Sequence, residues 1–349
     1  MMQAWVVNEQ GRLTDNPLQH TSLARPEVGC GEVLVRVLAC GICRTDLHVI
    51  TGDLPARRPR VIPGHQIVGE VVAVAADVPH RRVGEIVGAG WPRSTCGRCR
   101  FCVTGRENLC LHSRFTGWHA DGGYAQYALL KAPYCWTIPA GYDPVRAAPL
   151  LCAGISGYRA VRMARVAAGM RVALYGFGSS AHITAQVCTL LGARFEVFTR
   201  SETARRLAMR LGAKAAYGVD ERPGHRFDVA LVFAPSGSIV PKALRVVDRG
   251  GTVVVAGIHM DAIPPLEYFR ELFHERQLSS TTSSTVEDAK EFLTLAAAHP
   301  FHVECTTYPF DQVPRALEDL TVSRYAGASV LLPPKPSEPL LLPPDGKSR

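Results

Sequence analysis

The sequence predicts an α/β protein in two parts. One is a parallel sheet with crossover helices in the middle of the chain; the other is a mainly β region before it. Two observations carry this. The first ~150 residues hold short β-type runs interleaved with glycine: "EVLVRVLACGIC", "IVGEVVAVAADV" and "GEIVGAGW". Beyond them strand and helix patterns alternate, the signature of parallel strands joined by helices.

"MRVALYGFG" reads as a buried strand ending in glycines, and "SSAHITAQVCTLLGA" as the helix that follows. "RFEVFTR" is a second strand and "SETARRLAMRLGA" a second helix. Strand "DVALVFA", helix "IVPKALRVVDRGG" and strand "TVVVAGI" continue the pattern. A last helix, "TVEDAKEFLTLAAAH", leads back to short strands ending at "ASVLLP". Pro333–Arg349 holds six prolines, which exclude a helix or a central strand, so disorder is expected there.

The chain has 349 residues, 47% hydrophobic and 20% charged, ordinary for a soluble globular protein. A core of that size needs no disulfides. The opening "MMQAWVVNEQGRLTDN" lacks a basic region followed by an apolar run, and no stretch is long and apolar enough for a bilayer. The expected setting is cytoplasmic, where thiols stay reduced. Formal net charge is +8, but no run of five like charges and no basic stripe interleaved with aromatics occurs. Nucleic acid is not an expected partner.

Cys96, Cys99, Cys102 and Cys110, four of eleven cysteines, lie within "STCGRCRFCVTGRENLC". Thiolates at such spacing can wrap a tetrahedral zinc ion, and an all-thiolate set marks a structural site. In "YGFGSSA", Gly176 and Gly178 are followed by Ala181 at the third small position, between a predicted strand and helix. That context makes the motif a dinucleotide turn, with a pyrophosphate facing the helix start. "CGICRTDLH", "PGHQ" and "PLLCAGISGY" supply a second metal candidate in Cys43, His65 and Cys152. Two thiolates and one imidazole leave a fourth position open, as catalytic zinc needs. Spacing alone does not assign these three, since each residue type also serves as core.

The chain resembles the zinc-containing medium-chain alcohol dehydrogenases up to about Leu332, through "GICRTDLH", "PGHQIVGEV", "TCGRCRFCVTGRENLC", "DGGYAQY" and "YGFGSSA" in the family's order. The resemblance implies a Rossmann-type cofactor domain at 154–286 and a GroES-like catalytic domain from 1–153 and 287–332. It implies catalytic zinc on Cys43, His65 and Cys152, and structural zinc on the four clustered cysteines, hence two zinc ions per chain. Thr45 matches the family's hydroxyl residue at the substrate oxygen, and His48 the far end of its proton relay. Asp46 would orient the His65 imidazole. Two departures stand out. Gln66 replaces a glutamate common after the histidine ligand. Ala328 stands where many relatives carry a pyrophosphate-binding arginine, with Arg324 as a candidate substitute.

The implied reaction moves hydride between a primary alcohol, or an aldehyde in reverse, and a nicotinamide coenzyme. A homodimer or homotetramer is expected. Trp91 and Trp118 match positions facing the family's substrate channel and would favour unbranched or aromatic alcohols over polyols. A polyol or formaldehyde-type dehydrogenase is the alternative enzyme; a zinc-stabilised nucleotide-binding protein without turnover is the alternative outside enzymes. The second strand of the nucleotide domain ends at Thr199, not at the acidic residue of NAD-preferring relatives. Arg200 and Arg205 follow it. A guanidinium beside a missing carboxylate suits a 2′-phosphate, so NADP is expected over NAD.

Overall fold

The computed structural model describes residues 1–335. From residue 336 on, the segment expected to be disordered lies outside the described residues.

The β unit is built on β1 (Glu32–Ile42), whose alternate residues are nearly all buried. Helix α1 (Arg44–Thr51) follows directly. It starts where the Cys43 amide donates to the Asp46 carboxylate at 2.9 Å. β2 (Gln66–Val74) runs back antiparallel to β1, with Cys40 opposite Ile67 and Gly41 opposite Gln66. This register sets residues 43 and 65, just beyond the paired ends, side by side.

Helix α2 (Ala153–Met163) leads into the nucleotide unit. There follow β3 (Arg171–Tyr175), α3 (Ser179–Leu190), β4 (Arg194–Phe198), α4 (Glu202–Arg210), β5 (Ala216–Tyr217), β6 (Phe227–Val232), α5 (Ile239–Val246), β7 (Val247–Val255) and β8 (Gln277–Ser280). The strands form one parallel sheet in the order β5-β4-β3-β6-β7-β8. Order reverses beside β3, where open α/β sheets bind ligands beyond the strand ends. Val172 and Leu174 face the core that holds α3, while Ala173 and Tyr175 face the core that holds α5. Three differences from the sequence reading appear. α2 has no counterpart in it. α5 ends at Val246 rather than running to residue 251, because Val247 already pairs with Phe227 on β6. Met2–Val7 and Leu18–Leu23 form an additional antiparallel pair.

Helix α6 (Val286–Ala298) buries Ala289, Phe292 and Ala296 in the same cluster as Ile155 and Val161 of α2 and Ile183 of α3. A domain cut at 287 therefore falls inside a helix packed on the nucleotide unit. Only the chain beyond it returns to the β unit. There β9 (Cys305–Pro309) and β10 (Ala328–Leu332) extend the sheet, with Leu331 opposite Cys40 of β1.

Candidate active site

Cys43 ends the β1–α1 junction, His65 precedes β2, and Cys152 precedes α2. Their ligand atoms lie within 4.8 Å of one another. His65 is fully buried; its Nδ1 lies 2.7 Å from Asp46 Oδ1 and its Nε2 3.2 Å from Cys152 Sγ. The carboxylate thus takes Nδ1–H, and Nε2 is turned to the thiols. Burial alone would push the imidazole down. The Asp46 carboxylate, helped by Cys43, outweighs it and holds the group at about 10. Burial raises the Asp46 carboxyl, against the pull of His65. Its oxygens also accept from the Cys43 and Gly64 amides at 2.9 and 3.2 Å and from the Tyr124 hydroxyl at 3.4 Å. Tyr124 belongs to "DGGYAQY" and is a site residue that the sequence expectations do not include. A tyrosine inside a glycine-rich motif, with a hydroxyl that must find a partner when buried, was the available signal.

Thr45 is buried, with Oγ1 3.6 Å from Cys43 Sγ. His48 lies four residues before Gly52, where α1 ends. Its Nδ1 is 2.7 Å from Asp53 Oδ2, and its ring lies 4.7 Å from that of His259 on the nucleotide unit. The hydrogen bond with His48 is the main cause holding the Asp53 carboxyl below its usual range. Asp53 and His259 were missed by sequence reading; neither sits in a recognisable motif. Trp91 meets His65 edge-on at 5.1 Å and stacks on Phe115 at 4.9 Å and Trp118 at 5.9 Å. Trp118 is pinned by its indole N–H to the Pro55 carbonyl at 3.0 Å. Gln66 is buried with its amide oxygen unpartnered among the described residues. A carboxylate at that position would be an unpartnered buried charge.

Cys96, Cys99, Cys102 and Cys110 come together in an outlying lobe. Three of their Sγ–Sγ separations are 3.5, 3.6 and 3.9 Å. A tetrahedron with ~2.3 Å Zn–S bonds has edges of about 3.8 Å, so four thiolates here fit zinc without rearrangement.

At the nucleotide turn Gly176 has φ 83°, a conformation that favours glycine. A Cβ on Gly178 would meet nothing within 4 Å, so the start of α3 opens onto free space. Ala181 is fully buried. Gly178 bridges to Gly327, which brings "SRYAGASV" past this turn. Ala328 is buried there, and Arg324 is paired with Asp319 at 3.2 Å. Thr199 follows β4, buried, its amide bonded to the Tyr217 carbonyl at 2.9 Å. Arg205 donates to the Thr199 carbonyl at 2.8 Å and to Glu202 at 3.1 Å, so its fork is engaged by the turn between β4 and α4 and by α4 itself. Arg200 is exposed.

A parallel-sheet nucleotide unit set against a buried Cys–His–Cys donor set defines the class: a metal-binding dehydrogenase. The family profile "Alcohol dehydrogenase GroES-like domain" matches residues 29–140, and "Zinc-binding dehydrogenase" matches 181–298. The chain is 49% identical over 338 residues to "Probable alcohol dehydrogenase AdhA" of Mycobacterium tuberculosis, covering 95% of this chain and 97% of that one. It is similar in structure to a thermostable alcohol dehydrogenase of Pyrobaculum aerophilum (TM-score 0.86, 27% identity, 95% and 99% covered). A Sinorhizobium meliloti protein solved with NADP bound is similar to the same degree (TM-score 0.85, 28% identity, 95% and 99% covered). The chain belongs to the zinc-binding alcohol dehydrogenase family of medium-chain dehydrogenases, and is an oxidoreductase of that kind. None of its helices, among the described residues, is long and apolar enough to cross a membrane.

Proposed function

We propose that the chain is a zinc-dependent dehydrogenase of primary alcohols, reducing aldehydes in reverse, with two zinc ions per chain and NADP(H) preferred. The observation that carries this reading is the convergence of Cys43, His65 and Cys152, all within 4.8 Å, with Asp46 holding Nδ1 so that Nε2 faces the thiols. A zinc ion on these donors supplies Lewis-acid polarisation of the substrate oxygen. The chain's own residues do the rest. The Thr45 hydroxyl takes the substrate's proton, His48 passes it outward, and Asp53 fixes the His48 ring by its bond to Nδ1. Gly176, Gly178 and Ala181 let the coenzyme pyrophosphate approach the start of α3. Trp91 and Trp118, extended by Phe115, form an apolar wall against His65 that favours unbranched or aromatic substrates. The test is metal analysis beside turnover. Two zinc ions per chain are expected, and Cys43→Ala and His65→Ala should each lose activity while melting normally. One zinc per wild-type chain, or a Cys43→Ala enzyme that still turns over, refutes the reading.

Coenzyme choice rests on Thr199 and Arg200. Thr199 offers no carboxylate to repel a 2′-phosphate, and Arg200 is exposed beside it. NADP bound to the Sinorhizobium meliloti relative is consistent with this. A charge-assisted contact of about 1.5–3 kcal/mol corresponds to roughly one to two decades in kcat/KM. Measured with both coenzymes on one alcohol, the preference should shrink in Arg200→Ala and reverse in Thr199→Asp. A wild-type preference for NAD of ten-fold or more contradicts it.

A further inference from the structure

The nucleotide unit holds a recess that the coenzyme turn does not use. The connection from β5 to β6 crosses two intervening strands, β4 and β3, yet spans only residues 218–226 and contains no helix. Parallel crossovers ordinarily spend a dozen or more residues and lay a helix over the sheet. The short connection leaves a cavity of about 450 Å³ against α5, with Tyr175 in its lining. Tyr175 belongs to the core that holds α5, on the sheet face opposite α3, whose first turn faces the coenzyme.

The walls hold six basic side chains, Arg222, Arg226, Lys242, Arg245, Arg270 and Arg276, against the acidic Asp220 and Glu221. Lys242 and Arg245 of α5 are already answered, by Asp220 and by buried Glu271, each at 2.6 Å. Arg222, Arg226 and Arg276 line the same cavity and pair with no carboxylate among the described residues. Arg226 holds only the Arg245 carbonyl, and Arg276 only the carbonyls of Val247 at 3.2 Å and Arg270 at 3.0 Å. Burial, then repulsion from Arg226, pushes the Arg276 guanidinium below its usual range, with Asp248 offsetting only part. Tyr175 is 1% exposed and lines the cavity from the sheet side. Like charges gathered in a partly enclosed recess are unfavourable unless an anion shares it.

We propose that this cavity binds a small polyanion, a phosphate ester or polycarboxylate with closely spaced anionic oxygens, held by Arg222, Arg226 and Arg276. The volume suits a ligand of metabolite size, and guanidinium forks engage such oxygens bidentately. Its lining includes none of the Cys–His–Cys donors and none of Gly176, Gly178, Thr199 or Arg200.

The experiment is calorimetric titration of the full chain with inorganic pyrophosphate and, separately, citrate. Ionic strength is fixed, and saturating nicotinamide coenzyme keeps its turn filled. Saturable one-site binding of at least one probe is expected. It should weaken ten-fold or more in an Arg226→Ala/Arg276→Ala variant that retains wild-type coenzyme affinity. Arg222→Ala, at an exposed position, should weaken it several-fold and decides the matter if the double variant does not fold. Pyrophosphate alone assigns phosphate esters, citrate alone polycarboxylates, and both the shared chemistry. No saturable binding of either probe, or binding unchanged in the variants that fold, overturns the proposal.

Discussion

His182 lies one turn into α3, fully buried, with both ring nitrogens in use. Nδ1–H donates to the Gly178 carbonyl at 3.0 Å, and Nε2 accepts the Glu304 amide at 3.3 Å. Only the neutral ring satisfies both. Burial is the main cause that lowers it to about 4. An unfolded histidine titrates near ~6.5, so between these values the unfolded chain binds a proton that the folded chain refuses. Stability from this group is therefore whole above pH ~6.5 and falls as pH drops towards 4, by about 3 kcal/mol in all. Melting temperature measured from pH 6.5 to 5 should fall less steeply in His182→Gln than in the wild type. Parallel slopes would mean that the ring is not held neutral. Sequence alone did not single out this histidine: its role depends on a chain segment 122 residues away. Cys43 and His65 lie in motifs that carry the resemblance, Cys152 lies outside them and is assigned only by what that resemblance implies, and Asp53, Phe115 and His259 carry no local signature.

Between elements, the contact that matters most to the site is α2 on α6, because Cys152 sits at the start of α2. Asp288 organises it. Its carboxylate accepts from the Thr285 amide at 2.8 Å, closing the start of α6, and from Arg159 and Arg162 of α2 at 2.6 and 3.1 Å. Asp288 is 1% exposed. Asp288→Ala removes one of the two bonds of the capping box, leaving the Thr285 hydroxyl on the residue-288 amide, and strands a largely buried Arg159, a loss of roughly 3 kcal/mol. The expected result is a melting temperature lower by several degrees, with the Cys–His–Cys metal retained less well on dialysis. An unchanged melting curve would leave Asp288 as a surface-like contact only. The helical pattern of α6 was plain in the sequence, but its allegiance was not. Periodicity reveals that a helix has an apolar face and not which layer that face meets. The end of α5 was misread for a related reason: Val247, Asp248 and Arg249 carry acceptable helix residues, and pairing with β6 decides against them.

At the scale of the whole chain, the four-cysteine lobe does more than fold itself. The Asn108 side-chain amide donates to the Thr282 carbonyl at 3.0 Å, and Glu107 Oε1 accepts the Val286 amide at 2.6 Å, at the first residue of α6. The lobe thus fastens the β unit to the segment joining β8 to α6, where Ser283 has φ 54°. That backbone state is uncommon outside glycine and persists where surroundings hold it. Thiolate–zinc bonding contributes folding free energy directly, so a lobe that loses its metal should also loosen its hold on residues 282–286. Cys99→Ala is therefore expected to lose one zinc, melt at lower temperature and become open to limited proteolysis near Ser283. Glu107→Ala separates the two effects, since it leaves the thiolates intact. It should keep full zinc content yet share the new cleavage near Ser283, with a smaller loss of thermal stability. Proteolysis coupled to zinc content by mass spectrometry of the fragments reads both. A Cys99→Ala chain that is short of one zinc but melts and cleaves like wild type would reduce the lobe to an appendage. Cleavage in Cys99→Ala without cleavage in Glu107→Ala would place the coupling elsewhere than in the Glu107–Val286 bond.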